Sequence, residues 1–148
     1  MQISIRKARL EDMDTIHGLV KELAIYEKLP NEVKTSPESY KADFQKNWFE
    51  SIVAVSENNK IVGTCIFYQT FSTWKGKMIY LEDFVVNEQL RGKGIGVQLF
   101  DHLLNICKDR EVALLKWQII DWNEPALNFY RKYNFIEEKE WLNGKIIF

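Results

Sequence analysis

Apolar and polar residues alternate at the start of the chain, Ile3-Ser4-Ile5-Arg6, and the period then changes. Ile16, Leu19, Val20 and Leu23 recur at the spacing of one helix face, in a helix that opens at Asp12 and fades near Glu27. Leu29-Pro30-Asn31 breaks that helix. Ser36-Pro37-Glu38 starts another, with Ser at the N-cap and Pro in the first turn, and this helix carries Tyr40, Phe44 and Trp48. Residues 51–56 and 61–68 are β-branched and aromatic runs joined by Glu57-Asn58-Asn59-Lys60, which reads as a hairpin. A turn over residues 72–77 leads into a strand over 78–86. After a glycine-rich stretch comes a helix with Leu99, Phe100, Leu103, Leu104 and Cys107 on one face. A strand over 112–120, a helix beginning near Asn123-Glu124-Pro125 and two strands around Asn143-Gly144 complete the order; that last dipeptide favours a tight hairpin.

The sheet therefore begins antiparallel. The strand–helix–strand crossover around the glycine-rich helix places the strands before and after it side by side and parallel. An α+β mixed sheet in one domain, residues 1–148, is the expectation, with no repeat, low-complexity tract or linker in view.

Composition narrows the classes. With 148 residues, 46% hydrophobic and 14% aromatic, the chain can bury about 70% of its unfolded surface and needs no disulfide or metal to hold a core. Twenty Lys and Arg against 21 Asp and Glu leave a net charge of −1, which argues against a nucleic-acid partner. No apolar run approaches the roughly 20 residues that span a bilayer, and the alternating N-terminus lacks a signal-peptide core. A cytoplasmic setting, with no membrane partner, is expected. Cys65 and Cys107 fall in apolar patterns and read as small buried hydrophobes; His17 and His102 read as solvated helix residues. No spacing among these four fits a metal site, a redox pair or a hydrolytic triad.

Arg91-Gly92-Lys93-Gly94-Ile95-Gly96 lies between a strand end and a helix start, where alternating glycines let the backbone aim several N–H groups at one point. Such a turn suits an anion, because the helix dipole and unpaired amides favour phosphate and no Cβ holds it away. Arg91 and Lys93 add positive charge. No Lys-Ser or Lys-Thr follows the last glycine, so this is not a Walker A loop, and Val97 occupies the final glycine position of G-x-G-x-x-G.

With that loop the chain resembles the GNAT N-acetyltransferase superfamily, whose signature Q/R-x-x-G-x-G/A is matched by Arg91-x-x-Gly94-x-Gly96. It is more closely similar to the spermidine/spermine (diamine) acetyltransferase branch. The blocks that carry this are Leu23-Ala24-Ile25-Tyr26-Glu27, Thr73-Trp74-Lys75-Gly76-Lys77, Tyr80-Leu81-Glu82-Asp83-Phe84-Val85-Val86, the glycine loop, and Trp122-Asn123-Glu124-Pro125-Ala126-Leu127-Asn128-Phe129-Tyr130. The resemblance implies a mixed, mostly antiparallel sheet with flanking helices and a parallel, splayed strand pair at its centre. It implies acetyl-CoA as the cofactor. Backbone of Phe84, Val85 and Val86 would pair with the pantetheine arm as with an added strand. Amides of Gly92, Lys93, Gly94, Ile95, Gly96 and Val97, with Arg91, would hold the pyrophosphate, and Asn123, Glu124, Pro125, Ala126 and Tyr130 would line the other side. The branch also implies a homodimer, although residues 136–148 match it poorly and lack its longer tail.

Acetyl transfer to an amine needs a neutral nucleophile, a polarised carbonyl and a proton for the departing thiolate. An alkylamine of pKa near 10.4 needs a base at neutral pH, and Glu82, which strand alternation puts on the face of Phe84 and Val86, is the candidate. Tyr130 is the candidate acid for the sulfur, and strand N–H groups would polarise the carbonyl. Tyr26, Glu27, Trp74, Glu82 and Asp83, with Glu140 as a weaker member, form an acidic and aromatic set suited to a cationic amine, although strand alternation turns Asp83 opposite Glu82. The expected substrate is a polyamine, a diamine or a lysine-like amino acid. Acetylation of a protein or peptide, or a non-catalytic acyl-CoA-binding module, are the alternatives.

Overall fold

Residues 1–148 are described by a computed structural model in which the chain divides into two compact units, Met1–Gln118 and Ile119–Phe148. In the first, β1 (Ile3–Lys7), β2 (Glu50–Ser56), β3 (Ile61–Ser72), β4 (Gly76–Val86) and β5 (Leu114–Trp117) form one sheet in chain order. The ladders from β1 to β4 are antiparallel and β4–β5 is parallel, as the crossover through α3 (Ile95–Asp109) requires.

Helices cover both faces. Met13, Ile16 and Val20 of α1 (Met13–Tyr26) pack on Val53, Val55 and Ile66, flanked by Tyr40 and Phe44 of α2 (Pro37–Gln45) and by Phe49. Ser36 caps α2 as its sequence indicates, its hydroxyl accepting from the Ser39 N–H at 3.1 Å. On the opposite face, Leu99, Phe100 and Leu103 of α3 are fully buried, each worth about 1.5–3 kcal/mol of apolar burial.

The second unit holds α4 (Glu124–Arg131), with Pro125 in the first turn and the Asn123 side chain accepting from the Ala126 N–H at 3.2 Å. No helix is long and apolar enough to cross a membrane.

Several expectations are corrected. The two last strands around Asn143-Gly144 do not form: residues 136–148 carry no regular structure, and Ile136, Leu142 and Ile147 are exposed. A turn dipeptide sets a bend but not a ladder, and a two-strand hairpin needs a sheet or core to cover it. The parallel β4–β5 pair consequently stands at one margin of the five-strand sheet, not at its centre. β5 has only four residues, while β3 and β4 extend their hairpin outward to Ser72 and Gly76. Trp48 lies beyond α2, past Asn47 at φ +61°. His17 is not solvated: it is buried, its Nε2 donates to the Thr35 carbonyl at 3.0 Å, and its ring meets Tyr40 edge-on at 4.8 Å. The loop before α2 folds over that part of α1, which helical periodicity alone does not reveal.

Candidate active site

The site is organised by what happens along β4. Pairing with β5 runs from Met78↔Leu114 to Leu81↔Trp117 and stops there, whereas β4 continues beside β3 to Val86↔Gly63. Asn87 donates its N–H to the Val62 carbonyl at 2.8 Å, so backbone alternation turns the N–H and C=O groups of Phe84 and Val86 away from β3. They face the side on which the β5 ladder has ended. Phe100 is packed beneath this opening, with ring centroids 5.8 Å from Phe84 and 5.7 Å from Trp117.

A bulge lies at the same point. Ile66 pairs with Asp83 but Phe67 pairs with Leu81, which leaves Glu82 as an extra residue in β4. A bulge breaks strict side-chain alternation. Glu82 and Asp83 therefore both line one cavity of about 270 Å³, together with Thr35, Tyr40, Asp43, Trp48, Phe49, Ile66 and Tyr68. Phe84 instead packs against α3 on the opposite face. Two expectations are corrected by this: Glu82 does not share the face of Phe84 and Val86, and Asp83 does not point opposite Glu82.

The cavity is acidic and ringed by aromatics. The Tyr68 hydroxyl donates to Glu82 Oε2 at 3.2 Å, and its ring stacks on Tyr80 at 5.5 Å. Burial, followed by the charges of Glu82 and Glu27, pushes the Asp83 carboxyl up to about 6. Burial also raises Glu27, at the C-cap of α1. Burial first, then the charge of Asp83, pushes the Tyr40 phenol up to about 12; burial and Glu82 do the same to Tyr68. Negative charge is concentrated here at the cost of desolvation, an arrangement that a bound cation relieves.

Beyond β4 a short 3-10 turn, Glu88–Leu90, delivers the chain to the glycine loop. Gly92 and Gly94 take φ of +77° and +82°, a region that disfavours side chains, and Gly94 is the N-cap of α3. Gly94 offers no capping side chain, so the first-turn amides of Ile95, Gly96 and Val97 lack a side-chain cap and are disposed toward an anion. Nothing lies within 4 Å of the position a Cβ would take at either glycine. This open donor cradle fits a diphosphate. Arg91 links it to the rest of the site: its Nε donates to the Val86 carbonyl at 3.4 Å, and its guanidinium lies 4.5 Å above the Tyr26 ring.

The remaining expected residues are distributed differently. Tyr26 serves as the platform for Arg91 and does not line the acidic cavity. Trp74 is 83% exposed in the β3–β4 turn, about 20 Å along β4 from Glu82 at a strand's rise per residue. In the second unit, Asn123 caps α4, Glu124 pairs with Arg131 at 3.6 Å, and buried Tyr130 has ring contacts with Phe129 and Phe135 at 5.4 and 6.0 Å. Glu140 is exposed. Sequence reasoning missed the cavity walls: Tyr40, Asp43, Trp48, Phe49 and Tyr68. The three-residue spacing of Tyr40 and Asp43 is the local signal that part of this wall shares a helix face.

Comparison with known proteins agrees with this architecture. The acetyltransferase (GNAT) family pattern matches residues 19–135. The thialysine N-epsilon-acetyltransferase of Mus musculus is 34% identical over 151 residues, covering 94% of this chain and 89% of the relative. The spermidine/spermine N(1)-acetyltransferase-like protein 1 of Homo sapiens is 30% identical over 134 residues, covering 85% of this chain and 19% of that protein. Among solved structures, the BH1408 protein from Bacillus halodurans, crystallised as a tetramutant, superimposes with a TM-score of 0.78 at 25% identity, covering 97% of this chain and 99% of that one. The mixed sheet, the glycine loop after its fourth strand and the extent of these matches establish that the chain belongs to the acetyltransferase (GNAT) family.

Proposed function

We propose that this chain moves an acetyl group from acetyl-CoA to a primary amine of a small cationic substrate: a polyamine, a diamine or a lysine-like amino acid. The observation that carries the reading is that one stretch of β4 borders both the acidic, aromatic cavity and the strand edge where β5 pairing has stopped. When bound, acetyl-CoA supplies an activated thioester. Phe84 and Val86 offer backbone groups to its pantetheine arm as a strand would, and amides 92–97 with Arg91 and Lys93 hold its pyrophosphate.

The chain's own groups do the rest. Glu82 and Asp83, reinforced by Glu27, draw the ammonium into the cavity, and the faces of Tyr40 and Tyr68 favour it there. Glu82 would accept the proton that makes the amine a nucleophile; as the C–N bond formed and the C–S bond broke, the nitrogen would shed its second proton on becoming an amide and the sulfur would leave with a proton. Tyr130 is the proposed donor of that proton, on the strength of its motif position. β4 N–H groups stabilise the oxygen as it gains charge. The homodimer comes with the family resemblance and the cytoplasmic setting from the composition of the chain, both as parts of the same proposal.

The test is release of CoA from acetyl-CoA across a panel of amines and peptides. Cationic diamines or lysine-like amines should turn over faster than every peptide N-terminus. A peptide that outpaces them all contradicts the reading.

A further inference from the structure

The two relatives compared above are named for different kinds of amine. Thialysine is an amino acid with an α-carboxylate, whereas spermidine and spermine carry amines only. The cavity lining bears on this difference. Three of its residues, Asp43, Glu82 and Asp83, are acidic, and none is a lysine or arginine. The charges that bear on Asp83 are those of Glu82 and Glu27, both negative. A substrate carboxylate brought into this space meets like charge at reduced solvation with no cation to pair with it.

The acidic groups also differ in depth and origin. On β4, Asp83 is half-buried and Glu82 beside it is exposed. Asp43 is exposed on α2 and, with Trp48, which is 71% exposed, belongs to the rim. A molecule with two ammonium groups can therefore place one at Glu82 and Asp83 and the other at Asp43, with its methylene chain against Tyr40, Phe49 and Tyr68.

Resting on the acetyltransferase reading above, we propose that this cavity selects diamines and polyamines over amino acids bearing an α-carboxylate, and that Asp43 holds the ammonium that is not acetylated. Selection works by repulsion as much as attraction: the site disfavours the competitor by leaving its carboxylate unpaired.

The experiment compares 1,5-diaminopentane with lysine, which differ only by the carboxylate, and includes thialysine and lysine amide, in which that charge is removed. The purified chain should show kcat/KM at least tenfold higher for 1,5-diaminopentane than for lysine or thialysine, and lysine amide should recover most of the difference. Asp43→Asn, at an exposed helix position, should raise the KM for 1,5-diaminopentane about tenfold and shrink its advantage over lysine. Lysine or thialysine matching the diamine overturns the selectivity while leaving amine acetylation standing. A preserved ratio in Asp43→Asn overturns the role of Asp43. Absence of acetyl transfer to every amine overturns the acetyltransferase reading, and this inference with it.

Discussion

The glycine loop at residues 91–96 and the bulge at Glu82 shape the two halves of the site by opposite means. The loop is a local device. Gly92 and Gly94 adopt φ near +80°, and the open space around them shows that backbone freedom, not tight packing, is the reason for glycine there. The bulge is a relation between two strands: Glu82 is extra only because Ile66 pairs with Asp83 and Phe67 with Leu81. A local device can be broken by one residue's strain. A register mismatch acts through what it brings together, here two carboxylates on one wall, and is felt through charge.

The largest effect is expected at the loop. Gly94→Val forces a β-branched residue into φ +82°, a strain of about 1–3 kcal/mol, with no clash to unfold the domain. If binding must overcome that strain, CoA affinity falls roughly 10- to 100-fold. Calorimetry on the folded variant checks this, and unchanged affinity would break the assignment of the loop.

At the bulge, Asp83→Asn probes the gathered charge. The Asp83 carboxyl is raised to about 6 from its ordinary 3.8, so the native state holds its proton more tightly than the unfolded chain does. Its ionisation therefore removes stability as pH rises from about 4 through 6. Asp83→Asn should gain about 1–2 kcal/mol relative to the parent at pH 8 and show no such relative gain below pH 4, read by urea unfolding at both pH values. A gain that is equal at both contradicts the charge account.

Smaller still is Tyr68→Phe, which removes the 3.2 Å hydrogen bond to Glu82 and should cost about 0.5–1.5 kcal/mol. Trp74→Ala, at the exposed hairpin turn, should change stability by less than about 0.5 kcal/mol, by the same unfolding measurement.

The same contrast explains what could be read in the sequence. The α1 and α3 faces, the Ser36 cap, the β4 run and the glycine loop are each written in neighbouring residues, and each forms where those residues indicate. The bulge is not, because the alternation of β4 reads without interruption until β3 is laid beside it. Nor is the cavity, whose walls come from α2, the segment after it, β3 and β4. The helical pattern around His17 does not show its burial, because its cover, Thr35, comes from a loop with no pattern of its own. The final hairpin failed in the opposite way: Asn143-Gly144 is a clear local signal, and Leu142 on one side and Ile146 and Ile147 on the other remain exposed.

In the proposed reaction the carboxylate placed at the bulge takes the proton from a cationic amine. The most direct measurement is the ratio of wild-type to Glu82→Gln activity, as kcat/KM for a diamine, between pH 6 and about pH 9. If Glu82 generates the free amine, the ratio is largest at pH 6, where unprotonated amine is scarcest, and shrinks as pH rises toward the amine's pKa of about 10.4. A ratio that stays flat across that range contradicts the proton-transfer role and leaves Glu82 only a part in holding the substrate.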